Sequence, residues 1–114
     1  MKIKDIVDIL DGYVICGEDA LDTEVLSACA SDMMSDVLAF VKEQSVLVTG
    51  LCNPQVINTA EIMEMRCIVF VREKQPSEMM IDIAKRKGIV LLGTKHRMFA
   101  SCGMLYAAGL KPEV

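Results

Sequence analysis

From residue 45 onward, short apolar runs rich in β-branched residues alternate three times with stretches in which apolar residues recur at helical spacing. A polar turn follows each apolar run. This alternation predicts a parallel β-sheet covered by helices. The predicted strands are residues 46–49, 67–71 and 89–92, and the predicted helices are residues 54–65, 77–87 and 96–108.

The first 44 residues add two helices and two strands to this pattern. Residues 3–10 predict a helix that ends at Asp11-Gly12, and residues 35–43 predict a second helix. The two predicted strands are residues 13–16 and 24–30. The whole chain therefore predicts a three-layer α/β/α fold, with a mostly parallel sheet of about five strands and helices on both faces. Because no linker interrupts the pattern, we expect residues 1–114 to form a single domain.

Charged residues are distributed unevenly along the chain. Residues 1–44 contain ten acidic and three basic residues, whereas residues 45–114 contain six acidic and nine basic residues. No basic stripe spans the chain, and few aromatic side chains could stack on bases, so we expect no nucleic-acid partner. The basic second half favours a small anionic ligand. Alternatively, the two halves neutralise each other within the fold or across a dimer.

The sequence also indicates a cellular compartment. No secretory segment follows the amino terminus, and the longest uncharged run, residues 45–60, contains Asn and Pro and is too short to span a bilayer. Five cysteines at irregular spacings form neither a disulfide framework nor a metal knuckle. We therefore expect a cytoplasmic protein without membrane association.

The polar turns after the predicted strands provide candidate ligand contacts. In a parallel sheet these turns gather along one edge, where ligands bind. Helices that start there present free backbone amides suited to phosphate or carboxylate. One such helix begins at Pro54, and the side chain of the preceding Asn53 is predicted to cap it. The alternative is that these residues are ordinary caps and solvated charges. The predicted ligand contacts are Thr49, Asn53, Arg72, Thr94 and His96.

A second polar patch is predicted from a repeat at a spacing of four. Ser31 and Asp32 recur as Ser35 and Asp36, which would share one helical face if the segment were helical from its start. Such residues could accept hydroxyl groups or coordinate a hard cation. The alternative is that Ser31 or Asp32 caps the following helix.

The sequence lacks the motifs of common enzymes. It contains no GxSxG elbow, no phosphate-binding GxxxxGK[ST] loop, no HExxH and no GxGxxG. The only histidine, His96, is six residues from Cys102 and out of phase with it on a helix, so the two do not form a catalytic pair. We therefore expect a non-catalytic protein.

The chain resembles the DRTGG domain family over nearly its whole length, and two passages carry this resemblance. The first is Ser31-Asp32-Met33-Met34-Ser35-Asp36-Val37-Leu38 with the following strand that ends at Val48-Thr49-Gly50, and the second is residues 84–94. The chain is most similar to small stand-alone members found beside iron-only hydrogenase and electron-transfer genes, some of which are called iron-sulfur binding. The family is related to the amino-terminal domain of HPr kinase/phosphatase. Its Asp-Arg pair is replaced here by Leu51-Cys52-Asn53-Pro54.

The resemblance implies a regulatory or ligand-sensing role in a homo-oligomer, with a dimer favoured. In other proteins the domain accompanies phosphotransacetylases or lies between CBS domains of regulated pyrophosphatases. The leading hypothesis is a module that binds a nucleotide or other phosphorylated metabolite. A second is a protein-interaction module that docks a hydrogenase or redox partner through the helices that bear the methionine pairs Met33-Met34 and Met79-Met80. A third is an iron-sulfur cluster protein; otherwise we expect no cofactor.

Overall fold

The computed structural model describes residues 1–40 and 44–112, with only the backbone at residue 40. Within these residues, five α-helices and a short 3₁₀ helix, Glu18–Ala20, surround one six-stranded sheet. The strands are β1 Tyr13–Cys16, β2 Ser27–Ala30, β3 Ser45–Thr49, β4 Cys67–Phe70, β5 Val90–Gly93 and β6 Lys111–Pro112. The helices are α1 Ile3–Ile9, α2 Met34–Phe40, α3 Pro54–Ile62, α4 Glu78–Lys87 and α5 Met98–Ala107.

The sheet confirms the predicted mostly parallel architecture. Its strand order is β1-β5-β4-β3-β2-β6. The four central strands, β2, β3, β4 and β5, run parallel to one another. β1 lies at one edge, antiparallel to β5. At the other edge the two-residue β6 pairs with β2, a strand that the sequence pattern did not predict because it is too short to show alternation.

The two faces of the sheet are covered by different helices. Side chains alternate between the two faces along each strand. One face, which includes Leu47, Ile68 and Leu91, packs against α2, α3 and α4. Neighbouring valines lie on the other face and pack against α1 and α5. β3 and β4 are fully buried along their whole length. Helices on both faces explain why these strands are continuous apolar runs.

Several boundaries differ from the sequence prediction for local reasons. β2 begins at Ser27 rather than at residue 24, because Glu24 forms a separate bridge with Lys2. α3 ends at Ile62, and Glu64 then adopts a left-handed φ of 56°. α5 begins at Met98 rather than at residue 96. The carbonyl of His96 is not available to the helix, because it accepts a hydrogen bond from the Arg72 amide in the turn after β4. The helix predicted over residues 35–43 corresponds to α2. Its last three residues, 41–43, lie outside the part of the chain that the structure describes.

No α-helix within residues 1–40 and 44–112 has the length and apolar character required to cross a bilayer.

Candidate functional site

Four parallel strands end along one edge of the sheet. The carboxyl ends of β2, β3, β4 and β5 lie side by side, and α3, α4 and α5 begin just beyond this edge. The turns after these strands are therefore neighbours, as expected for the ligand-binding edge of a parallel sheet. We call this edge, made of residues 31–32, 49–53, 72–73 and 94–96, the carboxyl edge.

Asp32 connects the ends of two neighbouring strands. Its Oδ1 accepts hydrogen bonds from the Thr49 hydroxyl at 3.0 Å and from the Gly50 amide at 2.7 Å. The Thr49 hydroxyl also accepts a hydrogen bond from the Leu51 amide at 3.1 Å. Thr49 is fully buried, so its hydroxyl holds the turn in place, while Asp32 remains exposed at the carboxyl edge.

Arg72 is held in a strained backbone conformation directly after β4. Arg72 and Glu73 have φ values of 59° and 55°, in the left-handed region that side chains disfavour. Their amides donate hydrogen bonds to the carbonyls of His96 at 2.9 Å and Thr94 at 2.8 Å. These two bonds fix the turn against the β5–α5 connection and thereby set the direction of the Arg72 side chain.

The Arg72 guanidinium lies beside the backbone of Gly50. A Cβ atom at Gly50 would stand 3.1 Å from Nη2 of Arg72 and 3.6 Å from Oδ1 of Asp32. Glycine therefore leaves room for a cationic and an anionic side chain close to one backbone position. Within the described residues, the guanidinium forms no hydrogen bond and no ion pair.

Thr94 and His96 complete the carboxyl edge at β5. The Thr94 hydroxyl donates to the Leu10 carbonyl at 2.8 Å and accepts from the His96 amide at 3.3 Å. Thr94 is fully buried, so its hydroxyl, like that of Thr49, is engaged within the fold. His96 is half-buried, and its carbonyl supports Arg72.

Asn53 occupies the predicted N-cap position of α3, and Pro54 follows as the first helical residue. The predicted cap bond is wrong, however, because the Asn53 side chain accepts no hydrogen bond from the helix. Its Oδ1 is buried and lacks a partner within the described part of the chain. A buried acceptor without a donor is energetically unfavourable.

The structure does not support the geometry assumed for the second patch. The segment is not helical from Ser31: the Ser31 hydroxyl accepts from the Met33 amide at 2.9 Å, and α2 begins only at Met34. The spacing of four therefore does not place the four residues on one helical face. Asp32 joins the carboxyl edge instead, while Ser35 and Asp36 are exposed on α2.

The pattern of residue types does not identify Gly50 as part of the site, and it places Asp32 in the second polar patch. The signal for Gly50 was its position directly after a buried strand, where glycine often permits a close approach. No sequence signal joined Asp32 to Thr49, because the two residues meet only through the pairing of β2 with β3.

The cysteines are distributed over both faces of the sheet. Cys16 and Cys29 face the layer of α2, α3 and α4, whereas Cys67 faces α1 and α5. Burial raises the pKa of the Cys16, Cys52, Cys67 and Cys102 thiols, so each favours its neutral form. Among the described residues, no three Cys, His, Asp or Glu side chains are grouped closely enough to hold a metal ion.

Cys67 should make the fold sensitive to alkaline pH. Its thiol is fully buried and its pKa is raised well above the ordinary value of 9.0, so above pH 9 the unfolded chain releases a proton that the folded chain retains. The free energy of unfolding should therefore fall as pH rises above 9, by up to about 1.4 kcal/mol per pH unit from this thiol. In Cys67→Val, urea unfolding measured between pH 8 and 10.5 should show a shallower decline. An unchanged slope would contradict this assignment.

Comparisons with known proteins agree with this architecture. The DRTGG domain family matches residues 5–108. The crystal structure of the CBS and DRTGG domains of the regulatory region of Clostridium perfringens pyrophosphatase, complexed with the activator diadenosine tetraphosphate, is similar with a TM-score of 0.72 and 16% identity.

The likeness to that structure concerns the fold alone. It covers 91% of this chain but 45% of the pyrophosphatase chain, so this chain spans less than half of that structure. No curated protein matches the sequence. The family match extends over nearly the whole chain, from before the end of α1 to just beyond α5. The chain therefore belongs to the DRTGG domain family.

Proposed function

We propose that this protein is a non-catalytic regulatory module that binds a nucleotide or another phosphorylated metabolite at the carboxyl edge. The observation that carries this proposal is the Arg72 guanidinium, held by a strained turn beside the backbone of Gly50 and without a partner in the described chain. Arginine presents a planar set of donors that matches phosphate oxygens. The start of α3 nearby adds a positive dipole end.

The neighbouring Asp32 favours a nucleotide over a simple anion. Its carboxylate would repel an isolated phosphate placed close to it, but it can accept hydrogen bonds from sugar hydroxyl groups. A nucleotide carries both groups, so its phosphate can bind Arg72 while its sugar hydroxyls bind Asp32. Thr49 and Thr94 act in this proposal by positioning the turns.

The relatives support a sensing role. The related pyrophosphatase region was crystallised with an activator that is itself a nucleotide. From the resemblance to stand-alone members of the family, we also propose that this module acts in the cytoplasm, in hydrogenase or electron-transfer metabolism.

Thermal unfolding in the presence of chosen ligands tests the proposal. The panel contains AMP, ATP, diadenosine tetraphosphate, a sugar phosphate, adenosine and inorganic phosphate, each measured under reducing, anaerobic conditions. A ligand at a hundred times its Kd should add about 2.7 kcal/mol, which raises the Tm on the order of 10 °C for a domain of this size. We expect one nucleotide to exceed both adenosine and inorganic phosphate. Flat curves for all phosphorylated compounds would contradict the proposal.

A protein-docking role is the second candidate, and the methionine pairs favour it. Met34 and Met80 are buried, whereas their neighbours Met33 and Met79 are 60% and 61% exposed. Exposed methionines form adaptable contacts with partner proteins. A redox or hydrogenase partner would then bind on the layer of α2 and α4, without using Arg72. Binding of such a partner that survives Arg72→Ala but not Met33→Lys would support this role.

A further inference from the structure

An apolar cavity of about 250 Å³ lies between α5 and the edge of the sheet at β2 and β6. Its walls include Ala28 and Ala30 of β2, Leu105 and Tyr106 of α5, and Leu110 just before β6. The two alanines are two residues apart, so they lie on the same face of β2. Because their side chains are short, space remains between this end of the sheet and the helix. We call this space the α5 cavity.

The α5 cavity adjoins the carboxyl edge. Its floor includes Ala30 and Val48, which are paired in register near the ends of β2 and β3. Asp32 follows Ala30 by two residues, and Gly50 follows Val48 by two residues. A strand rises by about 3.3 Å per residue, so each of these turn residues is roughly 7 Å further along its strand than the cavity floor. Ala30 is exposed, so the cavity is open at this end.

The positions across the sheet follow the order in which the parts of a nucleotide are joined. Arg72 follows β4, Gly50 follows β3 and Asp32 follows β2, and these three strands are neighbours. The α5 cavity continues this row on the side of β2 and β6. A phosphate at Arg72 and a sugar at Asp32 therefore direct the third part of a nucleotide, its base, toward the cavity.

We propose that the α5 cavity binds the purine base of the nucleotide. This inference rests on the proposed function and adds to it the part of the site that distinguishes a nucleotide from a sugar phosphate. An apolar cavity of about 150 Å³ accepts benzene, so the larger α5 cavity has room for two fused rings. Bases pack favourably on aromatic side chains such as Tyr106. The Tyr106 hydroxyl and the ammonium group of Lys111, another wall residue, are donors that base nitrogens can accept.

Isothermal titration calorimetry with AMP, GMP and ribose 5-phosphate tests the base site, because ribose 5-phosphate is AMP without its base. At least one of the two nucleotides should bind wild-type protein at least about 10-fold more tightly than ribose 5-phosphate. Ala30→Leu places a larger side chain in the cavity and should remove this difference, while the affinity for ribose 5-phosphate stays unchanged. Ala107→Leu is the matched control, because Ala107 is exposed on another side of α5. It should keep the difference.

A second variant removes a wall of the cavity instead of filling it. Tyr106→Ala should weaken binding of the preferred nucleotide by about 2- to 10-fold and leave ribose 5-phosphate binding unchanged. Tyr106 is 71% exposed and Ala30 is also exposed, so both variants should keep nearly the wild-type Tm. Circular dichroism measures the Tm of each variant before titration.

The thiol of Cys102 reports occupancy of the cavity without a phosphate. Cys102 is a half-buried wall residue. Its alkylation by iodoacetamide, followed by peptide mass spectrometry, should slow in the presence of adenosine but not in the presence of ribose. This measurement does not involve Arg72, so it examines the cavity independently of phosphate binding.

The outcomes separate this inference from the proposed function. Equal affinities for both nucleotides and ribose 5-phosphate in wild-type protein, or a difference that survives Ala30→Leu, would overturn the base site and leave the proposed function standing. If no phosphorylated compound bound, the proposed function would fail instead. Protection of Cys102 by adenosine would then support the cavity by itself, and unchanged alkylation would overturn it.

Discussion

Arg72→Ala is expected to weaken binding of the nucleotide found by thermal unfolding by about 10- to 100-fold. Hydrogen bonds to a charged group contribute about 1.5–3 kcal/mol, and each 1.4 kcal/mol changes Kd tenfold. The side chain is exposed and forms no bond within the described chain, so its removal should leave the unfolding temperature of the free protein nearly unchanged. Isothermal titration calorimetry measures the Kd directly.

Arg66→Ala provides the matched control. Arg66 directly precedes β4, whereas Arg72 follows that strand closely, so the two arginines lie at opposite ends of the same strand. The control should retain wild-type affinity, although both variants lose one positive charge. Arg72→Lys should bind with intermediate affinity, because lysine keeps the charge but not the paired donors. Equal losses in the two alanine variants would indicate a general charge effect and contradict a site at Arg72.

Gly17→Ala is expected to destabilise the fold by about 3 kcal/mol. Gly17 follows β1 with φ of 95°, which is unfavourable for alanine and costs roughly 1–3 kcal/mol. The new Cβ would also stand 2.8 Å from Cγ2 and 3.0 Å from Cα of Val90 on the neighbouring strand. Such overpacking adds roughly 1–3 kcal/mol. Together these effects should lower the Tm by more than about 10 °C.

Gly109→Ala separates the two contributions. Gly109 has a similar φ of 106°, but nothing lies within 4 Å of its added Cβ. This variant should therefore lose only the conformational part, about 1–3 kcal/mol. Urea unfolding of both variants gives the difference. If Gly109→Ala were as destabilising as Gly17→Ala, the contact with Val90 would have no measurable effect.

The sequence alone determined most of the fold because the central strands and helices carry strong local signals. The β1 prediction is confirmed at both ends, and the runs that form β3, β4 and β5 are identified to within one residue, since strands buried on both faces are continuous apolar runs between polar turns. The helix predicted over residues 77–87 is also confirmed to within one residue, because α4 lies between two capping residues that are adjacent to it in sequence, Ser77 and Gly88.

Only the tertiary structure decided the direction of β1 and the presence of β6. β1 pairs with β5, which is more than seventy residues away in the chain, and β6 is recognisable only through its pairing with β2. Strand pairing depends on contacts between distant residues, so local periodicity does not contain it.

At the carboxyl edge, too, the sequence determined the position of each residue along the chain, and the tertiary structure determined the contacts. The order of strands and helices along the sequence placed all five predicted contacts at the ends of strands or in the turns that follow them: Thr49, Asn53, Arg72, Thr94 and His96. Only the tertiary structure brought Asp32 to Gly50, engaged both threonine hydroxyls within the fold and left the Arg72 guanidinium and Asn53 Oδ1 without partners in the described chain. These contacts join different strands, and their distances depend on sheet register and on the strained backbone at Arg72, which residue types alone do not specify.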